Sequence, residues 1–153
     1  MTTQEAEKLL FSYKDKQEAL EEIKADITDL EMRLRQYNVL QSREIKAGVS
    51  RGRITDSVAG AIEHKEMLSD KLARAKRSYK AISDQLTQID KALDIMLDDC
   101  LWVEYHVLLW RLANRFGWYK VRKVAFTSIA GTKEIYQEAL EIFAEVWEQQ
   151  NDT

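Results

Sequence analysis

The chain has no proline and only five glycines among its 153 residues. Because proline lacks an amide donor and clashes with the preceding turn, its absence is typical of a helical chain. The single cysteine, Cys100, cannot form an internal disulfide, as is usual for cytoplasmic proteins. No apolar run approaches the ~18 residues that would span a membrane, and the N-terminus lacks a signal-peptide pattern. These features predict a soluble, cytoplasmic, all-α protein.

Two long stretches place apolar residues at alternating spacings of four and three. One extends from Ala6 to Tyr37 with Lys16 as its exception, and the other from Ile54 to Met96 with only Lys65 as its exception. A heptad pattern sustained for this length is typical of a coiled coil. Each stretch has one apolar stripe that must be buried against a partner.

Residues 41–53 separate the two stretches and contain two glycines, two serines and four bases, which break the helical pattern. We therefore predict that residues 1–97 form a long antiparallel coiled-coil hairpin with its loop at about 41–53. The loop bases are either a second phosphate contact or part of a solvated turn: Arg43, Lys46, Arg51 and Arg53.

Residues 98–150 are predicted to form a compact helix-turn-helix-like domain. Gly117 is expected to end an aromatic-rich helix in the left-handed conformation that glycine favours there. A short helix is predicted at about 118–125, a turn at 126–128 and a last helix at about 129–148. A long helix, a short helix, a tight turn and another helix match the outline of a helix-turn-helix.

The charge of this domain is strongly divided. Residues 105–133 contain six bases and no acid, whereas residues 134–153 contain six acids and no base. Such a basic block can attract phosphate or an acidic protein. Alternatively, the two blocks neutralise each other across a pair of helices.

The stretch from Trp118 to Ser128, followed by Glu138-Ala139-Leu140-Glu141, resembles the sigma-factor region-four type of helix-turn-helix. The hairpin followed by Ile89-Asp90-Lys91-Ala92-Leu93 resembles phage-encoded transcriptional regulators of the RinA and ArpU type. The resemblance implies a DNA-binding regulator of phage or prophage genes in a bacterial host cell. Its expected partners are double-stranded DNA, a second copy in a homodimer, and RNA polymerase or another host protein.

On this interpretation the site residues divide by chemistry. Cations would neutralise phosphates, and the first turns of the recognition helix would face the major groove. The predicted phosphate contacts are Arg115, Lys120, Arg122 and Lys123. The predicted groove contacts are Thr132, Lys133, Tyr136 and Gln137. The alternative is that Tyr136 and Gln137 are ordinary surface residues of an amphipathic helix.

The chain departs from this family at four positions. Ile129 and Glu134 stand where arginines are usual, Arg122 replaces a packed alanine, and Phe126 replaces the glycine of the turn. These departures favour an alternative function, a phage-borne protein-binding module that inhibits or modulates a host protein through a degenerate helix-turn-helix. A third alternative is a structural coiled-coil assembly protein.

Catalytic motifs are lacking. His64 and His106 are far apart in sequence, Cys100 has no evident base and is expected to be buried, and no glycine-rich phosphate loop or paired-cysteine metal motif is present. We therefore expect no enzymatic activity, metal, cofactor or small-molecule substrate.

Overall fold

In the computed structural model the backbone is described for residues 1–46 and 54–152, and the side chains for residues 1–40 and 60–152. These residues form six α-helices and one π-helical turn, with no strand in the described ranges. In chain order they are α1 (Thr3–Phe11), α2 (Tyr13–Lys46), α3 (Ile54–Asp98), α4 (Trp102–Leu108), the π-helical turn (Leu109–Ala113), α5 (Trp118–Ala125) and α6 (Ile129–Asn151). The predicted all-α class is confirmed.

The chain divides into two compact units. The hairpin unit comprises Ala19–Ile82, and the core unit comprises Met1–Glu18 together with Ser83–Thr153. The predicted division at residue 97 therefore differs from the one observed. The reason is that α1 and the C-terminal end of α3 contribute to the same core as α4–α6. The residues buried there are Ala6, Leu10, Ile89, Leu93 and Met96.

In the hairpin unit the two long helices run antiparallel. Glu31 forms an ion pair with Lys76 at 3.5 Å, and the rings of Tyr37 and His64 lie 5.5 Å apart. Positions later in α2 thus meet positions earlier in α3. Residues 41–46, which were predicted to belong to the loop, are helical, because α2 continues to Lys46. Residues 47–53, and the side chains of the four loop bases, lie outside the described residues.

The N-terminal helix begins with a capping box and is interrupted at Ser12. Thr2 accepts a hydrogen bond from the Glu5 amide, and the Glu5 carboxylate accepts one from the Thr2 amide. The Thr2 hydrogen bonds hold the pKa of Glu5 below its usual value. At Ser12 the hydroxyl donates to the Leu9 carbonyl at 2.7 Å, a local bond that competes with regular helix geometry.

Helix α3 ends in a Schellman turn with Cys100 in the left-handed conformation. The amide of Leu101 donates to the Met96 carbonyl and that of Cys100 to the Leu97 carbonyl, both at 3.0 Å. Cys100 is exposed, so its predicted burial is wrong. The turn satisfies the last carbonyls of α3 and places Cys100 outside the core.

The segment between α4 and α5 widens into the π-helical turn. The Asn114 amide donates to the Leu109 carbonyl at 2.8 Å, which closes a π-type turn, and Arg115 then adopts a left-handed φ of 57°. Gly117 is extended and serves as the N-cap of α5. The predicted left-handed role of Gly117 is therefore wrong, because Arg115 occupies that conformation two residues earlier.

The core unit is built around α6, against which α1, α4 and α5 pack. The inner face of α6 is formed by side chains at spacings of three and four, and the neighbouring helices add residues such as Val107, Leu108 and Val121. The buried residues of α6 are Thr132, Tyr136, Ala139, Leu140, Phe143, Ala144 and Val146.

The turn between α5 and α6 contains a local backbone strain that a substitution can relieve. Phe126 has φ 55° and ψ 34°, while its side chain is 85% exposed. An L-residue in this conformation costs about 1–2 kcal/mol. Glycine removes this cost, but its greater freedom in the unfolded state cancels part of the gain in stability. We predict that Phe126→Gly increases the free energy of unfolding by roughly 0.5–1 kcal/mol, measured by urea denaturation.

Phe126→Ala is the matched control, because it removes the ring and keeps an L-residue at the left-handed position. We expect Phe126→Ala to leave the free energy of unfolding close to that of the wild type. If the alanine and glycine variants have equal stability, the backbone conformation is not the source of the effect.

Candidate nucleic-acid interface

Helix α5 separates an apolar face from a cationic one. Val121 and Val124 are buried against the core, whereas Tyr119, Lys120 and Lys123 are exposed. Gly117 is the N-cap of this helix and Phe126 is its C-cap. Its observed bounds, Trp118–Ala125, match the short helix predicted from the sequence.

Four cations in and near α5 each lie over an aromatic ring. The Lys120 ammonium lies 3.7 Å from the centroid of the Phe116 ring, and the Arg122 guanidinium carbon lies 4.5 Å from that of Tyr119. The ammonium of Lys123 is 5.5 Å from the Tyr119 centroid, and that of Lys133 is 5.6 Å from the Trp118 centroid. We call Lys120, Arg122, Lys123 and Lys133 the unpaired cations.

Within the described part of the chain, none of the unpaired cations has a carboxylate within 4.0 Å. The six acids that follow in α6 and beyond therefore do not neutralise them through direct ion pairs. The rings orient the cations by cation–π attraction without cancelling their charge. The result is a surface of positive charge available to an external anion.

Arg115 differs from the unpaired cations because its guanidinium is engaged within the core unit. It forms an ion pair with Asp15 at 2.8 Å, donates to the Phe11 carbonyl at 3.3 Å and lies 4.2 Å from the centroid of the Phe11 ring. The predicted role of Arg115 as a free phosphate contact is corrected accordingly. These contacts hold the left-handed turn at Arg115 against the N-terminal helices.

Thr132 and Tyr136 are not on the surface, so their predicted role in reading bases is wrong. Thr132 is fully buried and donates to the Ser128 carbonyl at 2.7 Å. Tyr136 is 4% exposed, and its hydroxyl donates to the Glu7 carboxylate at 2.7 Å. The sequence held a signal for this, because positions 132, 136, 139 or 140, and 143 continue one stripe at helical spacing.

Two of the predicted groove contacts do lie on the outer face of α6. Lys133 and Gln137 are exposed and are separated by one helical turn. Glu134 and Glu138 are also exposed, which makes this face mixed in charge. The structure therefore leaves Lys120 and Lys123 exposed and Arg122 partly exposed on α5. It leaves Lys133 and Gln137 exposed on the first turns of α6.

Aromatic residues are the functional candidates that charge counting missed. Trp118 contacts Arg111 at 4.3 Å on one side and meets the edge of the Tyr136 ring, with centroids 5.1 Å apart. Arg111 also donates to the Phe116 carbonyl at 3.0 Å. The alternation of bases and aromatic residues from 111 to 123 was the available sequence signal.

Comparisons with protein-family models, curated proteins and solved structures found no match. No helix in the described ranges is long and apolar enough to cross a membrane. No cluster of three or more His, Cys, Asp or Glu side chains suited to a metal ion occurs among the residues that the structure describes.

Two tyrosines of the core unit, the buried Tyr136 and the half-buried Tyr13, make its stability sensitive to alkaline pH. Burial raises the pKa of Tyr136 well above its usual value, and its bond to Glu7 adds to the shift. Burial likewise raises the pKa of Tyr13, which donates to Asp90 at 2.6 Å. Unfolded tyrosines lose their protons near pH ~10. Stability is therefore fully present below that pH and falls above it, because the unfolded state releases the protons more readily.

We predict that a Tyr13→Phe/Tyr136→Phe variant loses stability less steeply than the wild type above pH ~10. Its stability near neutral pH should be lower by roughly 1–3 kcal/mol for each bond removed. Urea denaturation at several pH values measures both effects. The control is Tyr119→Phe, because the Tyr119 ring is 64% exposed. Equal alkaline slopes for the wild type and the double variant would contradict the assignment.

Proposed function

We propose that this chain is a DNA-binding transcriptional regulator that contacts double-stranded DNA through α5 and the start of α6. The observation that carries the proposal is the set of unpaired cations, held over aromatic rings and lacking carboxylate partners. The family resemblance described above implies regulation of phage or prophage genes. It agrees with this location, since it also assigns the DNA-binding end to the C-terminal helices.

The cations are suited to phosphate because their charge is uncompensated and their positions are restrained. Arg122 lies over the Tyr119 ring with its Nε atom buried, so its terminal N–H groups are the ones that would hydrogen-bond phosphate oxygens. A protein that neutralises phosphates releases condensed counterions, which supplies most of the sequence-independent affinity for DNA. We assign this role to Lys120, Arg122 and Lys123.

The outer face of α6 offers a smaller set of groups for reading bases. Lys133 can donate to guanine and Gln137 can bond adenine bidentately, as the chemistry of the major-groove edges requires. Ser128 caps α6 by accepting from the Gly131 amide at 3.1 Å, which fixes the first turn of the helix. The order of α5, a tight turn and a capped α6 is that of a helix-turn-helix.

The hairpin unit carries exposed apolar side chains that suit a protein contact. Met32, Ile62 and Met67 are among the large hydrophobic residues that remain exposed there. Exposed apolar surface on a helical pair is a common basis of self-association or of contact with another protein. We propose that the hairpin supports a homodimer or contacts RNA polymerase or another host protein.

A second candidate function is a protein-binding module without DNA affinity. The burial of Thr132 and Tyr136 favours it, because only Lys133 and Gln137 remain from the predicted groove contacts. The acidic residues Glu134 and Glu138 on the same face also oppose contact with phosphates. An acidic host protein would be the partner that the unpaired cations then attract.

We predict that the protein shifts duplex DNA from its own genomic neighbourhood in an electrophoretic assay at low salt. The Lys120→Ala/Arg122→Ala/Lys123→Ala variant should bind more weakly, and the slope of log affinity against log salt should fall by roughly 2.7, or about 0.9 for each phosphate contact removed. The salt series measures the number of contacts directly.

The matched control is Lys71→Ala/Arg74→Ala/Lys80→Ala, which removes the same charge from exposed positions of α3. This control should retain the wild-type salt slope if the contacts are local to α5. If the wild type shows no shift at micromolar concentration, the DNA proposal fails, and affinity capture of a host protein tests the second candidate.

Glu134 provides an independent test of where phosphate lies. We predict that Glu134→Gln binds duplex DNA more tightly than the wild type, by roughly threefold to tenfold. The substitution removes a negative charge next to Lys133 that would repel the DNA phosphates. Glu145→Gln, an exposed position later in α6, is the control and should leave the affinity unchanged. An affinity that does not respond to Glu134→Gln would place the DNA away from the first turns of α6.

A further inference from the structure

The turn between α5 and α6 presents an apolar surface that the cations do not explain. Phe126 is 85% exposed, Ile129 is 39% exposed, and Ala130 is also exposed. These three residues lie within five positions of one another and are called the apolar tip. Within the described residues the Phe126 ring stacks on no other aromatic side chain and lies under no cation.

The backbone that carries the apolar tip is tightly held. A Cβ added to Gly131 would lie 2.6 Å from the Thr127 hydroxyl oxygen, so the turn packs closely on the first turn of α6. The Thr132 hydroxyl donates to the Ser128 carbonyl, and the Ser128 hydroxyl accepts from the Gly131 amide. The apolar tip is therefore presented by a preorganised turn.

The apolar tip continues into the polar groups on the outer face of α6. Ile129, Lys133 and Gln137 follow one another at intervals of four residues, which places them along one side of the helix. Lys133 is one of the unpaired cations, and Lys123 lies three residues before Phe126. The apolar tip is thus preceded and followed in sequence by a positively charged residue.

We infer that the apolar tip contacts the C5-methyl groups of thymines in the major groove, an inference that rests on the proposed DNA binding. The thymine methyl is the apolar group that base pairs present in that groove, and phenylalanine and alanine are among the side chains that contact it. Lys123 and Lys133, which neighbour the apolar tip in sequence, supply positive charge that attracts the phosphates bordering the groove. The contact replaces the hydrogen bonds that arginines would make, since Ile129 occupies the first of those positions.

The test compares two duplexes that differ only in the methyl group. One is a short alternating A·T duplex, and the other has deoxyuridine in place of every thymidine, so that the base-pairing groups are unchanged. We expect the wild type to bind the thymine duplex about fourfold more tightly for each methyl contacted, because a buried methylene-sized group contributes about 0.8 kcal/mol. Phe126→Gly should lower the ratio of the two affinities toward one, because it removes the largest side chain of the apolar tip.

Tyr119→Ala is the control, because it removes an exposed ring on α5 that lies outside the apolar tip. It is expected to weaken binding to both duplexes and to keep their ratio. Equal affinities of the wild type for the two duplexes, with a normal salt slope, would overturn the methyl contact and leave the proposed function intact. Tighter binding of a single strand of oligothymidylate would also overturn it, in favour of stacking on bases. Failure to bind either duplex while genomic DNA is still shifted would overturn the methyl contact alone, and failure to bind all three duplexes would remove both proposals.

Discussion

Burial of the inner face of α6 is the constraint on which the core unit depends. The α1, α4 and α5 helices all pack against it, and Ala139, Leu140 and Phe143 are almost wholly inaccessible to water. Rotating α6 about its axis would expose these side chains, and Leu140 and Phe143 would each cost about 1.5–3 kcal/mol if they were fully exposed. The orientation of α6 is therefore fixed by the core, and the narrow opposite face is what remains for a ligand. The packing of the inner face therefore determines which charged side chains of α6 lie on the outer face.

The local elements of the core unit could be predicted from the sequence, and the face of α6 was predicted only in part. Helix α5 and the start of α6 were found because turn residues and apolar spacing are local signals. Thr132 and Tyr136 were assigned to the DNA-facing surface because a recognition helix uses its first turns to contact bases. In the structure the Thr132 hydroxyl is satisfied within α6, whereas the Tyr136 hydroxyl bonds Glu7 across 129 residues of sequence. The helical spacing of these positions is a signal of their burial, but it does not reveal a partner 129 residues away.

The same limit explains the outcomes for Arg115 and for the division of the chain. A block of six bases predicted a basic surface, but it could not show that Arg115 is held by Asp15 and the Phe11 carbonyl. Those contacts join segments about a hundred residues apart, and they accompany the burial of Ala6 and Leu10 in the core unit. Heptad spacing continues through α2 and α3 without marking where one compact unit gives way to the other. The spacing therefore predicted helices correctly and their allocation to units incorrectly.

Among the residues that the structure describes, three other than glycine adopt left-handed conformations, and their surroundings differ in an informative way. Cys100 is stabilised by the paired amide bonds of a Schellman turn, and Arg115 by its ion pair and its contact with Phe11. Phe126 has the bulkiest apolar side chain of the three, yet its ring is left in water. Glycine would adopt this conformation at lower cost and would expose less apolar surface. Neither the stability of the turn nor the packing of the core accounts for phenylalanine here, whereas the apolar contact that we propose with thymine would account for it.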